Sequence, residues 1–204
     1  MEQLRWIELM RQFGLSDNQS TYAELIRAYT EKHRHYHSDA HINACLQHFD
    51  SVREVAEHPA EVELALWFHD AIYKPMSSTN ELDSANWCAK FLAENNIADD
   101  VIQRVHKLIM ATCHSAELVG NDERLVVDID LAILGAPEDI YQTFETNVRN
   151  EYQWVPSFIF KSKRKEILQG FLKREKIYHH AYFYELLEHR ARKNLAAAIV
   201  LCAT

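Results

Sequence analysis

Apolar residues recur at intervals of three and four along almost the whole chain, which is the spacing of amphipathic helices. The apolar positions between Leu4 and Met10 open this pattern, and Gly14 is expected to end the first helix. Thr21 followed by Glu24 has the form of a capping box and predicts the start of the second helix. Ser38 and Asp39 offer the next cap, and His41 then falls in the first turn of a third helix.

The segment from Glu61 to Tyr73 is nearly all apolar, so it is predicted to be a central helix that is buried on most sides. His69-Asp70 lies near its end. The run Leu125–Val127 has the character of a short strand, but the apolar spacing continues to Ile133 and favours a helix containing Asp130. Helical spacing persists to the end of the chain, and four Gly and four Pro in 204 residues leave few breaks. The predicted fold class is therefore all-α.

Charge and composition narrow the class of protein. A formal net charge of -8 disfavours nonspecific binding to nucleic acid or to acidic membranes. The four cysteines are widely spaced in apolar stretches without CxxC pairing, and no signal peptide or membrane span is evident, so we expect a reduced, cytoplasmic protein. Residues 161–176 hold seven basic and two acidic side chains, a local +5 that either attracts a phosphorylated ligand or forms a solvated helix face.

Four metal-capable side chains recur on successive predicted helices, namely His41, the doublet His69-Asp70, and Asp130. The chain contains twelve His, so a His-Asp doublet can occur by chance. The doublet alone is therefore weak evidence for a metal site. In so apolar a helix, however, a polar pair needs hydrogen bonds or a metal to offset its desolvation. Two nitrogens and two carboxylates on different helices could converge on one divalent ion.

This constellation resembles the H...HD...D signature of the HD-domain metal-dependent phosphohydrolases. The phrases His69-Asp70-Ala71-Ile72-Tyr73, Asn80-Glu81 with Ser84-Ala85, and residues 128–135 look like an uncharacterised branch of predicted HD phosphohydrolases. The resemblance implies an HD-domain-like helical bundle with additional C-terminal helices. It implies one all-helical domain over residues 1–204, with a signature core at about 20–136 and a C-terminal elaboration at about 137–204. It also implies four metal ligands: His41, His69, Asp70 and Asp130.

Asp128 competes with Asp130 for the last ligand position. Within one helix, side chains two residues apart point about 200° apart, so only one of them can face the ion. The resemblance favours Asp130, which matches the family's aspartate, and also gives it a catalytic role in positioning water.

The segment from Tyr36 to His41 is similar to one in cyclic-nucleotide phosphodiesterases, in which a first His donates a proton and a second, four residues later, binds metal. His37 is therefore the candidate general acid, and the pKa of histidine suits that task near neutrality. The competing interpretation is a His that caps the helix beginning at Ser38.

Further candidates are assigned by region. Glu81 and His114 match regions that hold a second metal in some HD proteins, or they orient water or phosphate. Candidate phosphate-binding residues are Lys74, placed by its nearness to the doublet, and the more distant Arg149, Lys161 and Arg164.

The resemblance implies a metal-dependent phosphohydrolase that cleaves a phosphate ester of a nucleotide or another small phosphorylated metabolite. The cofactor is one divalent ion, or two, drawn from Mn, Fe, Co, Ni, Zn or Mg. A homodimer is a further expectation, and no membrane partner is expected. The alternatives are a di-iron HD-type oxygenase, a nonenzymatic metal-binding scaffold or sensor, and a helical interaction module with a structural doublet.

Overall fold

The computed structural model describes residues 2–114 and 118–203, and all regular structure within these residues is helical. The predicted all-α class is confirmed. Among the described residues, no helix is both long and apolar enough to cross a lipid bilayer. Two short 3-10 helices, Arg53–Val55 and Leu131–Gly135, accompany ten α-helices in the described part of the chain. These are α1 (Gln3–Gln12), α2 (Gln19–Tyr29), α3 (Asp39–Asp50), α4 (Pro59–Phe68), α5 (Asn80–Glu94), α6 (Asp99–Ala111), α7 (Asn121–Asp130), α8 (Glu138–Glu151), α9 (Ser157–Leu172) and α10 (Ala181–Ala203).

The helix ends follow the local sequence in some places and depart from it in others. Gly14 adopts a φ of 70° just after α1, as its role as a helix stop predicts. The predicted capping box at Thr21 is wrong, because α2 already begins at Gln19 and Asn18 precedes it with a φ of 43°. Ser38 does precede α3, although its side chain makes no capping hydrogen bond.

The chain divides into two compact units, Met1–Val127 and Asp128–Thr204. Helix α7 is continuous across this boundary, with its first seven residues in the first unit and its last three in the second. The prediction of one domain for the whole chain stays a prediction.

Helix α4 is the centre of packing in the first unit, where it contacts α1, α3, α5 and α6. All of its residues from Glu61 to Phe68 are buried, which confirms the predicted central helix. Trp67 on α4 meets Trp6 on α1 edge-on, with ring centroids 5.5 Å apart. The helix ends at Phe68 instead of continuing to Tyr73, so the residues from His69 onward form a turn.

In the second unit, α10 packs against α9 and against the 3-10 helix Leu131–Gly135. A Cβ atom at Gly135 would lie 2.5 Å from Cβ of Leu187, so only glycine permits this close approach. The hydroxyl of Tyr178 donates a hydrogen bond of 2.9 Å to the Leu131 carbonyl within the same unit.

Candidate metal centre

The metal-capable side chains lie on two helices and one turn. His41 and Cys45 are four residues apart on α3, which places them on the same helix face. His69 and Asp70 are the first two residues of the turn that follows α4. Asp130 is the last residue of α7, a helix that starts within the first unit.

Three ligand atoms from these residues form a small triangle. The Nε2 atoms of His41 and His69 are 3.1 Å apart. Oδ2 of Asp70 lies 3.1 Å from Nε2 of His69 and 3.4 Å from Nε2 of His41. Both imidazoles are buried, and the Asp70 side chain is 14% exposed. The structure therefore brings together three of the four predicted ligands in direct contact.

A second set of four residues overlaps this triangle. His41, Cys45, His69 and Asp130 each offer one ligand atom, and these four atoms lie within 4.8 Å of one another. The thiol of Cys45 is 3.8 Å from both ring nitrogens of His41. We give Asp70 priority over Cys45 as a ligand because its oxygen lies 3.4 Å from Nε2 of His41, closer than the thiol at 3.8 Å, and also contacts Nε2 of His69 at 3.1 Å. The name donor cluster is used below for His41, Cys45, His69, Asp70 and Asp130.

Backbone structure fixes the tautomer of His69. Its Nδ1 lies 2.9 Å from the Leu66 carbonyl, an oxygen that can only accept a hydrogen bond. When the ring is protonated, Nε2 donates to Asp70; when the ring is neutral, the proton stays on Nδ1 and Nε2 has a lone pair. This is the arrangement that orients metal-binding histidines in proteins.

The donor cluster differs from the other buried acids of the first unit. Each of those meets an arginine, a lysine or backbone N–H donors: Glu61 with Arg104, Glu63 with Arg5 and Arg53, Asp122 with the amides of Glu57 and His58, and Glu123 with Lys107. Asp70 instead faces imidazole rings. Burial alone would raise the pKa of Asp70, but the charges of His69 and His37 and hydrogen bonds from His41 and His69 outweigh it and hold the pKa well below its usual range.

The spacing of these atoms fits a bound divalent ion. Nitrogen and oxygen ligands that share one ion at about 2.0–2.2 Å lie roughly 3.0–3.4 Å from each other. The triangle of His41, His69 and Asp70 has edges of 3.1, 3.1 and 3.4 Å. The residues present therefore fit a divalent metal.

Arg34 holds the turn that carries Asp70. Its guanidinium donates to the carbonyls of His37 at 3.1 Å, Asp70 at 2.6 Å and Ala71 at 2.9 Å. Its side chain is only 1% exposed and lies over the Tyr73 ring. Arg34 therefore ties the segment before α3 to the turn after α4. The sequence prediction missed this residue, since nothing in the local pattern distinguishes it from an exposed arginine.

Two residues of α5 hold the same turn from another side. Oδ1 of Asn80 accepts a hydrogen bond from the Lys74 amide, and Nδ2 of Asn80 donates to the Lys74 carbonyl. The hydroxyl of Ser84 accepts a hydrogen bond of 2.9 Å from the Ile72 amide. The phrases containing Asn80 and Ser84, on which the family resemblance rests, therefore have a structural role in this turn.

His37 lies beside the donor cluster without being one of its closest members. Its ring stacks on Tyr73 with centroids 4.1 Å apart, and its centroid is 6.2 Å from that of His41. Its positive charge is also one of the causes of the low pKa of Asp70. The predicted general acid is thus within electrostatic reach of a predicted ligand.

Glu81 and His114 were predicted at a second metal or at a water. Glu81 accepts a hydrogen bond from the thiol of Cys113, the neighbour of His114. Burial, the charge of Glu81 and this hydrogen bond together raise the pKa of the thiol. His114 itself adopts a φ of 55° after the end of α6. Their participation in a second metal site stays a prediction.

The four candidate phosphate-binding residues fall in two places. Lys74 lines a cleft of the first unit together with Arg27, Arg34 and Trp87, and the lining does not include the imidazoles of the donor cluster. The three distant candidates, Arg149, Lys161 and Arg164, line one cavity of the second unit. The structure thus places these three candidates around the same cavity.

Asp128 occupies a different environment from Asp130. Its carboxylate is fully buried and accepts hydrogen bonds from the backbone amides of His179 and His180 at 2.7–2.9 Å. Burial raises the pKa of Asp128 to about 7, against the opposing effect of these amides. Its oxygens therefore serve the packing of the second unit, while Asp130 belongs to the four-residue group described above.

No family model, curated protein or solved structure matches the chain. The class therefore rests on the fold and the donor cluster alone. The described residues form an all-helical protein with a group of side chains that could hold a metal ion.

Proposed function

We propose that the protein is a metal-dependent phosphohydrolase that cleaves a phosphate ester of a nucleotide or another small phosphorylated metabolite. The observation that carries the proposal is the convergence of His41, His69 and Asp70 within 3.1–3.4 Å of one another. The resemblance to the HD-domain signature supplies the reaction class, since the same four positions carry that signature.

The chain's own residues have separate roles in this proposal. His41 and His69 bind the ion through Nε2, and Asp70 and Asp130 contribute carboxylate oxygens. A divalent ion bound there would acidify a water molecule and neutralise charge on the phosphoryl oxygens. Leu66 fixes the orientation of His69, and Arg34 fixes the backbone of Asp70. Asp130, which is partly exposed, orients the attacking water.

His37 acts as the general acid that protonates the departing oxygen. Stacking on Tyr73 orients its ring, with the two ring centroids 4.1 Å apart. Substitution of His37 by Gln should preserve metal content and lower kcat by about 10²–10⁴-fold, the usual contribution of a positioned acid. Loss of metal in this variant would instead make His37 a ligand.

Metal analysis of the purified, untagged protein tests the proposal first. The wild type, Asp70→Ala and the control Asp99→Ala are incubated with Mn or Fe, desalted and measured for bound metal per chain. Asp99 is an exposed acid at the start of α6, so it controls for loss of one carboxylate. We expect metal in the wild type and the control and its loss in Asp70→Ala, with unchanged circular dichroism.

A screen of phosphate monoesters and diesters on the same three proteins then tests the chemistry. Hydrolysis by the wild type and Asp99→Ala, but not by Asp70→Ala, is the expected result. Equal metal in all three proteins, or none in any, would contradict the metal site. Two Fe per chain with oxygen consumption and no ester cleavage would favour the di-iron oxygenase.

A further inference from the structure

A cavity of about 340 Å³ in the second unit is lined by parts of α8, α9 and α10. Its wall contains three cationic side chains, Arg149, Lys161 and Arg164, and one carboxylate, Glu145. The wall therefore carries a net charge of +2. Ligand cavities in proteins are typically about 300–1,000 Å³, so the volume suits a small molecule.

Arg164 is nearly buried and is held in a fixed orientation. Its side chain is 11% exposed, and its Nε and Nη2 donate to the two oxygens of Glu145 at 2.9 and 2.7 Å. The Tyr141 hydroxyl donates to the same carboxylate at 2.6 Å. Within the described residues, Nη1 of Arg164 makes no hydrogen bond. A rigid guanidinium thus has donor capacity left for an anion.

The other two cations add charge that no carboxylate in the described residues neutralises. The guanidinium of Arg149 donates to the carbonyls of Tyr152 at 2.6 Å and Val155 at 3.0 Å, which orient it without cancelling its charge. Lys161 makes no ion pair within the described part of the chain. Burial and the charge of Glu145 raise the pKa of Cys202 in the cavity wall, and the charges of Arg164 and Lys161 oppose this rise, so the charge of Lys161 acts on the cavity.

The rest of the wall is apolar or carries hydroxyls. Phe160 and Leu201 supply apolar surface, and Thr146 and Ser157 supply hydroxyl groups. The ring of Phe160 is kept in place by Arg149, whose guanidinium carbon lies 4.8 Å from its centroid. A ligand that matches this wall has an anionic end and a compact apolar end.

We propose that this cavity binds a small organic phosphate monoester. The phosphoryl group would be held by Lys161 and Nη1 of Arg164, and the organic group would pack on Phe160. A phosphate monoester is favoured because it carries up to two negative charges, which match the +2 wall, and several acceptor oxygens. This site shares no residue with the donor cluster and goes beyond the proposed hydrolysis.

Titration of the full-length, ¹⁵N-labelled protein with phenyl phosphate tests the proposal. Metal is first removed with EDTA, and ionic strength is held constant with chloride. We expect saturable amide shifts within residues 157–161 and 198–202. Benzyl alcohol, which has the ring without the phosphate, should produce no saturable shifts there.

Matched charge reversals on α9 locate the site. Lys161→Glu should raise the Kd for phenyl phosphate by at least about tenfold, because it replaces a charge-assisted contact with repulsion. Lys163→Glu is the control, since Lys163 is 73% exposed, pairs with Glu166 and does not line the cavity. It should change the Kd by less than about threefold, as expected for a screened surface charge.

Absence of saturable binding, or equal weakening in both variants, would overturn the proposal. Shifts confined to residues 37–41 and 69–70 would also overturn it, because the phosphate would then prefer the donor cluster. The proposed hydrolase function would survive that result, so failure of the two proposals can be distinguished.

Discussion

Asp70 and Asp128 are both withdrawn from solvent, but their oxygens meet different kinds of partner. Asp70 faces the Nε2 atoms of two imidazoles, whereas Asp128 accepts hydrogen bonds from two backbone amides. At Asp128, burial outweighs the opposing effect of the amides and raises the pKa to about 7, whereas at Asp70 the charges and hydrogen bonds of the histidines outweigh burial and hold the pKa well below its usual range. Burial alone therefore does not identify a metal ligand. The atoms that face the carboxylate decide whether its lone pairs remain available to a cation.

The largest expected effect comes from comparing Asp130 with Asp128, which both lie on α7. Asp130→Ala should reduce metal affinity by more than about a hundredfold, because loss of an outer-shell partner alone already costs 10–100-fold. The midpoint of urea unfolding, measured without metal, should change little. Competition with a chelator of known affinity measures the first quantity. Retention of wild-type metal affinity would exclude Asp130 as a ligand.

The next largest effect is expected for Arg34, which positions the Asp70 turn. Arg34→Met should lower the free energy of unfolding by at least about 3 kcal/mol, because it leaves three carbonyls without their donor and each costs about 1–3 kcal/mol. Metal affinity should fall with it. Arg34→Lys should recover only part of the loss, since an ammonium cannot reproduce the planar fork.

Arg27→Met provides the control for Arg34, because Arg27 is an exposed arginine of the same unit. It should change stability by less than about 0.5 kcal/mol, as surface substitutions usually do. Urea denaturation of the three variants measures the difference. A similar loss in Arg27→Met and Arg34→Met would contradict a specific role for Arg34.

Asp128→Ala should show the reverse of Asp130→Ala. It leaves the buried amides of His179 and His180 without an acceptor, which should lower the free energy of unfolding by about 1–3 kcal/mol. Metal affinity of the folded protein should stay within about twofold of wild type, which is our expectation for a residue outside the ligand set. A loss of metal equal to that in Asp130→Ala would remove the distinction between the two aspartates.

The smallest effect is expected at Cys45 and depends on the metal. A thiolate favours Zn over Mn, so Cys45→Ser should weaken Zn binding by several-fold and leave Mn binding almost unchanged. Parallel titrations with the two metals measure this ratio. Equal changes for both metals would show that Cys45 acts only through packing against His41.

The sequence predicts most of the helices because their signals are local. The glycine stop after α1, the apolar run of α4 and the helical choice over the strand at Leu125–Val127 all appear in the structure. The end of α4 was predicted five residues too late. Periodicity could not reveal this end, since the turn after it is held by Arg34, Asn80 and Ser84 from distant segments.

The sequence predicts only part of the donor cluster and its supporting residues, because some of their contacts come from distant segments. His41, His69 and Asp70 were found through motif order, and the structure places their ligand atoms in contact. Cys45 is not among the predicted ligands, although its spacing of four residues from His41 on a helix indicates a shared face. Arg34 left no such signal, because its importance lies in carbonyls that only the folded chain brings to it.

The hydrogen bonds of Arg34 also bear on the order in which the molecule folds. The contact between Arg34 and the Asp70 carbonyl closes a loop of 36 residues. Loop closure costs chain entropy that helix formation within α3 or α4 does not incur, so this contact forms after the local helices. We therefore expect the turn bearing Asp70 to form late in folding, so that the proposed metal site would be complete only when the tertiary structure is in place.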